Sequence, residues 1–110
     1  HSFPTRRSSR YTLSLHDALP RVIGFILGSA SGWEYGIPDN IAWIDTLGVR
    51  KEYQKKGIAR LLFREMFFMF EEVGVDTIYV LVSWRDWDLL KFFDKMGFKR
   101  GDMINLEMKI

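Results

Sequence analysis

The residues with the clearest chemical potential fall in one run, residues 41–62, reading IAWIDTLGVRKEYQKKGIARLL. It begins as an apolar strand pattern, crosses a charged turn, and reaches Gln54-Lys55-Lys56-Gly57-Ile58-Ala59, where a helical pattern opens. A strand that feeds a glycine turn and a helix N-terminus is suited to holding an anion. The first backbone N–H groups of a helix have no internal acceptor, and the helix dipole adds partial positive charge there. Lys55, Lys56 and Arg60 strengthen that field, although a lysine pair in a turn also reads as a solvated loop. Asp45 is the anomaly of the strand. A carboxylate between Ile44 and Leu47 is costly to bury unless paired or hydrogen-bonded. It reads either as a solvated or structurally paired aspartate, or as a general base or amine anchor.

Periodicity supplies the elements that must position this run. Residues 22–27 (VIGFIL) form a short β-branched strand, and residues 28–40, rich in Gly, Pro, Asp and Asn, form a loop. Trp33 and Tyr35 in that loop either fold back on the core or line a substrate entrance. Alternation in residues 41–49 puts Ile41, Trp43, Asp45, Leu47 and Val49 on one face of a second strand, antiparallel to the first. A helix over residues 57–73 carries an apolar stripe wider than one face and needs cover on more than one side. Residues 77–82 (TIYVLV) read as a central parallel strand, which makes the helix a crossover between parallel strands. A second helix spans residues 87–96, capped by Ser83 or Asp86 and ended by Gly97. Residues 98–100 and 103–109 suggest a terminal hairpin around Gly101-Asp102.

Composition bounds the function. One domain is expected from 110 residues, and nine Phe and four Trp can fill a core. No apolar run approaches the ~20 residues of a membrane span. With no cysteine, thiolate metal sites, disulfides and a Cys nucleophile are excluded, and a reducing cytoplasm fits. The only histidines are His1 and His16. The net charge of +2 points toward nucleic acid only until the chain is divided. Residues 1–21 carry Arg6, Arg7, Arg10 and Arg21 against Asp17, a net +3, whereas the rest has 12 basic and 13 acidic residues, a net −1. Nucleic acid and membrane are therefore not expected partners.

Residues 1–20 carry a coincidence of reading frames. The codons CAC TCT TTC CCT ACA CGA CGC TCT TCC encode His1 to Ser9; read one base later, with a final G, they encode Thr12 to Pro20. That nucleotide string resembles a sequencing-library adapter. Residues 1–21 are accordingly expected to be a non-native, disordered segment, joined to a domain over residues 22–110 that is truncated at its N-terminus.

Val49-Arg50-Lys51-Glu52-Tyr53-Gln54-Lys55-Lys56-Gly57-Ile58-Ala59 resembles the acetyl-CoA-binding motif of the GNAT superfamily of N-acetyltransferases, and residues 89–98 (LLKFFDKMGF) are similar to that family's later helix and Gly-Phe. The resemblance covers residues 22–110. It implies an α/β (α+β) partial GNAT fold, with a mixed sheet of about five strands and two helices in the order strand-strand-helix-strand-helix-strand-strand. It implies transfer of acetyl from acetyl-CoA to an amine acceptor by direct attack, by a parent enzyme of which this chain is a fragment inactive alone. The alternative is a CoA-binding regulatory module without catalysis. By resemblance the pyrophosphate sits on Gln54, Lys55, Lys56, Gly57, Ile58, Ala59 and Arg60, and the pantetheine arm pairs with Leu47 and Val49. Asp86 falls where relatives contact the cofactor through Asn. Asp45 is the candidate base. Phe93 stands where many members carry a Tyr acid, so Tyr79 and Ser83 are the remaining donors. No metal is implied, and the family is compatible with a homodimer.

Overall fold

Two-residue alternation builds the sheet. The computed structural model describes residues 8–18, 21–32 and 40–110. Four strands, β1 (Ser8–His16), β2 (Val22–Gly32), β3 (Asn40–Val49) and β4 (Thr77–Val80), lie in the order β1-β2-β3-β4. The first three are antiparallel neighbours, and β4 runs parallel to β3, so the architecture is α+β with a mixed sheet. A 3-10 turn (Lys51–Tyr53) and helix α1 (Ile58–Glu72) link β3 to β4, and α2 (Trp87–Lys95) follows. Among the described residues no helix is long and apolar enough to cross a membrane.

Three sequence expectations change. Ser8–His16, expected to be disordered, is a strand. Tyr11, Leu13 and Leu15 pack against the core while Thr12, Ser14 and His16 are exposed, and that alternation is sufficient for a half-buried strand. The first expected strand extends through Gly28 to Gly32. A Cβ on Gly28 would sit 2.9 Å from both the Phe70 ring and the Trp43 carbonyl oxygen, so this glycine admits the helix to the sheet instead of starting a loop. Trp33 and Tyr35 lie outside the described residues. The terminal hairpin does not form, and the described residues hold four strands instead of about five. Phe98, its first residue, is claimed by rings: it sits 5.5 Å from Phe63 and 5.1 Å from Phe93, centroid to centroid. What remains of that arm is too short to hold a two-stranded ribbon.

Ile26, Ala42, Ile44, Leu62, Phe63, Met66, Phe70 and Phe93 form the core. The sheet meets α1 closely at Gly24 and Gly28, and Phe70 enters over Gly28 with Tyr11 edge-on at 5.4 Å. Burying a side chain of this size contributes about 1.5–3 kcal/mol. Both helices end in the same way. Gly74 and Gly97 have φ of +82° and +102°, and the N–H groups of Val75 and Phe98 donate to the carbonyls of Phe70 and Phe93. Leu61, Phe67 and Phe68 remain exposed, in keeping with a helix whose stripe is broader than one sheet can cover.

Candidate functional site

The site starts with a phase error in β3. Ser29 pairs with Trp43 and Gly28 with Ile44, but Leu27 pairs with Thr46, so Asp45 is the unmatched residue of a β-bulge. The alternation reverses there. Ala42 and Ile44 face the core before the bulge, and Leu47 packs against that same core after it. Leu47 and Val49 therefore share the helix-bearing face with their partners Ile26 and Gly24, not the face of Trp43 as unbroken alternation predicts. The polar pair Asp45-Thr46 inside an apolar strand was the available signal.

The bulge coincides with the parting of two strands. β3 and β4 pair only from Ile41↔Thr77 to Ile44↔Val80. From Thr46 to Val49, β3 stays paired with β2, and among the described residues it has no strand partner on the β4 side beyond Ile44. The result is an open strand edge, just where Leu47 and Val49 lie. A backbone edge of this kind can accept an extended amide-bearing ligand as an additional strand.

That edge leads into the turn. Gln54 donates from Nε2 to the Val49 carbonyl at 3.0 Å, and Arg50 donates from its N–H to Ile23 at 2.8 Å and from Nε to Val22. Tyr53 donates to Asp17, which also pairs with Arg21. With its start fixed, the turn reaches Lys55 at φ +63° and Gly57 at φ +82°. A lysine in the left-handed region is strained, and such strain persists where the surroundings impose it. Gly57 is the N-cap of α1 and offers no side-chain cap, so the first-turn N–H groups of the helix are left open to a ligand. A Cβ at Gly57 would meet no protein atom within 4 Å. The glycine is required by its φ, and the space beside it is open. Gln54, Lys55, Lys56 and Arg60 are all exposed around this helix end, and Lys56 Nζ lies 5.6 Å from the Tyr53 ring centroid. The geometry suits a phosphate-bearing ligand: open N–H groups, a helix dipole and a cationic rim.

Other expected site residues are placed less suggestively. Asp45 is exposed at the bulge. Tyr79, half-buried, stacks at 5.0 Å on Trp43, its register partner. Ser83 accepts at Oγ from the Arg85 N–H at 3.2 Å, and Asp86 caps α2 by accepting from Leu89 at 3.1 Å. Among the described residues no hydrogen bond joins Asp45 to Tyr79 or Ser83. Phe93 is buried among Phe63, Phe92 and Phe98. Periodicity gave no hint of a depression of about 410 Å³ lined by Val22, Ile23, Gly24, Phe25, Gly48, Val49 and Arg50, beside the turn. Within it Gly48 lies against the Phe25 ring, which a Cβ there would approach to 2.7 Å.

Solved structures share this fold. A Pyrococcus furiosus protein described as an acetyl transferase superposes with a TM-score of 0.84 at 19% identity, over 94% of this chain and 68% of its own. An aminoglycoside acetyltransferase from an uncultured soil metagenomic sample, solved with sisomicin, gives 0.76 at 17% identity, over 92% of this chain and 66% of its own. A ribosomal-protein-alanine N-acetyltransferase from Brucella melitensis gives 0.75 at 16% identity, over 92% and 71%. The chain thus spans about two thirds of the length of the structures it resembles. Among curated proteins none matches it by sequence. At these identities the likeness establishes the fold, and the sequence itself carries the family: the profile described as "Acetyltransferase (GNAT) family" matches residues 4–98. The open edge after the bulge, the turn and the uncapped helix are those of a chain that belongs to the GNAT family of acetyltransferases.

Proposed function

We propose that this chain carries the acyl-CoA half of an N-acetyltransferase whose intact form transfers acetyl from acetyl-CoA to an amine. The observation that carries the reading is the adjacency of two unfilled backbone sites: the β3 edge over Asp45 to Val49 and the open helix end at Gly57 to Arg60. The first suits the amide-bearing pantetheine arm, held by the backbone of Leu47 and Val49. The second suits the pyrophosphate, held by Gln54, Lys55, Lys56, Gly57, Ile58, Ala59 and Arg60. The arm and phosphates of one coenzyme supply both demands in sequence.

In the reaction the amine nitrogen bonds to the thioester carbon and the carbon–sulfur bond breaks. The amine loses a proton, which Asp45 takes directly or through water, and sulfur leaves with the bonding pair. Asp45 is suited to that exchange because it is exposed at the point where β3 and β4 part. Tyr79 and Ser83 each carry a hydroxyl that can donate to the departing sulfur. Asp86 serves α2 as its cap and can contribute to the cofactor only through what that bond leaves free. We also propose that residues 1–20 derive from a translated adapter. Their strand needs only an alternating pattern and is silent about origin.

Two titrations test the reading on the 110-residue chain. Acetyl-CoA should raise the melting temperature, because a ligand that binds only the native state stabilises it. Free-thiol release over a panel of aminoglycosides, polyamines and peptide N-termini then asks for turnover. Absence of acetyl-CoA stabilisation would remove the coenzyme assignment. Tight binding without turnover in a chain restored to the full length of its structural relatives would favour a second reading, a CoA-binding regulatory module. Burial of Phe93, without a hydroxyl, is the observation in favour of that second reading.

A further inference from the structure

The phosphate turn is tied to a distant part of the sheet through one side chain. Tyr53 ends the 3-10 turn, just ahead of the left-handed Lys55. Its hydroxyl is used twice. It donates to Asp17 Oδ2 at 3.2 Å and accepts from Arg21 Nη2 at 3.3 Å. Arg21 also donates from Nε to the same Asp17 oxygen at 2.9 Å, so the three side chains close a ring of hydrogen bonds. Asp17 and Arg21 lie in the connection between β1 and β2. Bonds to ionised groups are stronger than neutral ones, and the Asp17 side chain is only 16% exposed. Arg50 reinforces the tie through its bonds to Val22 and Ile23.

The ring of Tyr53 has a second use. Lys56 Nζ lies over it, 5.6 Å from the centroid, within reach of the attraction between a cation and an aromatic face. Lys56 is otherwise exposed, and among the described residues it forms no ion pair. A lysine without such a hold samples many rotamers, and ordering it when a ligand arrives costs affinity. Held over the ring, its ammonium stays in the turn that precedes the uncapped end of α1.

We propose that Tyr53 is a positioning residue for the coenzyme: its hydroxyl, anchored by Asp17 and Arg21, fixes the ring, and the ring holds Lys56 ready for the phosphates. This inference rests on the acyl-CoA reading and adds to it a residue outside the set assigned to the phosphates. Tyr53 acts through Lys56 and needs no contact with the ligand. The two lysines of the turn are then placed by different means. Lys55 is placed by its backbone φ of +63°, and Lys56 by an aromatic face.

A double-mutant cycle tests the coupling. Calorimetric titration of the 110-residue chain with acetyl-CoA measures the cost of Lys56→Gln in three backgrounds: wild type, Tyr53→Phe and Tyr53→Leu. In the wild type, losing the ammonium should weaken binding about three- to fivefold, as for one exposed charge. In Tyr53→Leu, which has no ring to hold the lysine, the same change should cost less than about 1.5-fold, because the benefit is already lost. Tyr53→Phe keeps the ring without its hydroxyl bonds, and the cost there should fall between the two. Salt gives a readout that a merely structural role would not move. Wild type and Tyr53→Leu should differ at low salt and converge at about 1 M, where the charge is screened. Equal Lys56→Gln costs in wild type and Tyr53→Leu overturn the proposal, and so does an affinity gap between those two that persists at high salt. If melting curves show Tyr53→Leu unfolded, Tyr53→Phe decides alone, and an unchanged Lys56→Gln cost there overturns it. A wild-type chain that does not bind acetyl-CoA removes the acyl-CoA reading itself; binding with additive losses removes only the role of Tyr53. Both varied residues lie outside residues 1–20, so the test is independent of the origin of that segment.

Discussion

Two glycines offer a matched pair of perturbations. Gly57 opens α1 and Gly74 ends it, both at φ +82°. A Cβ at Gly57 meets nothing within 4 Å, and one at Gly74 meets only Asn40 Nδ2 at 3.8 Å. Alanine at either position therefore adds no clash and pays only for the left-handed backbone, about 1 kcal/mol in each case. In a domain near this size that corresponds to a fall in Tm of about 4–8 °C. The two variants should melt together, below the wild type. Their ligand responses should diverge. The methyl at position 57 projects into the open space beside the uncapped N–H groups, where the phosphates are proposed to lie. Acetyl-CoA affinity should fall at least about tenfold, or 1.4 kcal/mol, in Gly57→Ala and stay at the wild-type value in Gly74→Ala. Calorimetric titration with acetyl-CoA, alongside melting curves without ligand, separates the two effects. If Gly57→Ala binds as the wild type does, the helix end is only a turn and the cradle is misassigned. If both variants lose affinity alike, the loss is global and says nothing about the site.

Three further substitutions probe other parts of the argument. Lys55 occupies the left-handed region at φ +63°, so Lys55→Gly should raise thermal stability by up to about 1 kcal/mol while weakening acetyl-CoA binding, most clearly at low salt. Higher Tm with unchanged affinity would make that lysine structural. Asp45→Asn should leave acetyl-CoA affinity unchanged and lower turnover in an active, length-restored protein by about 100-fold or more, as expected for loss of a general base; thiol release measures it, and full activity would return the base to another group. Gly28→Ala puts a methyl 2.9 Å from a backbone oxygen that cannot turn aside, and should destabilise by about 1–3 kcal/mol in a denaturant titration.

Much of this arrangement was legible because local chemistry determined it. The anion-binding turn was readable from Gln54 to Ala59, since a glycine before an amphipathic helix specifies both the φ and the open N–H groups. The helix ends at Gly74 and Gly97 were readable for the same reason. What escaped depended on partners distant in sequence. Nothing near Gly28 announces that Phe70, forty-two positions later, needs its missing Cβ. The polar pair Asp45-Thr46 marks an irregularity in residues 41–49, but which residue β2 skips is settled only by the pairing with Leu27 and Gly28. The strand at Ser8–His16 escaped because the coincidence of reading frames pointed to a non-native, disordered segment, although Tyr11, Leu13 and Leu15 do alternate. The terminal hairpin was readable as a pattern and did not form; Phe98, its first residue, packs its ring against Phe63 and Phe93 instead.

The bulge at Asp45 has a consequence for how this sheet tolerates change. A strand with an odd residue behaves as two half-strands out of step, joined at a single hinge position. Deleting Asp45 would bring the halves back into step: Thr46 would inherit the place opposite Leu27 without a skip, and Leu47 would still meet Ile26. The predicted loss is then not the fold but the gap, because a strand without its kink can keep pairing with β4 beyond Ile44. One codon would separate a sheet with a slot from a sheet without one. Point substitutions that preserve the count of residues between Ile44 and Leu47 should therefore be milder for ligand binding than any insertion or deletion there, whatever side chains they carry.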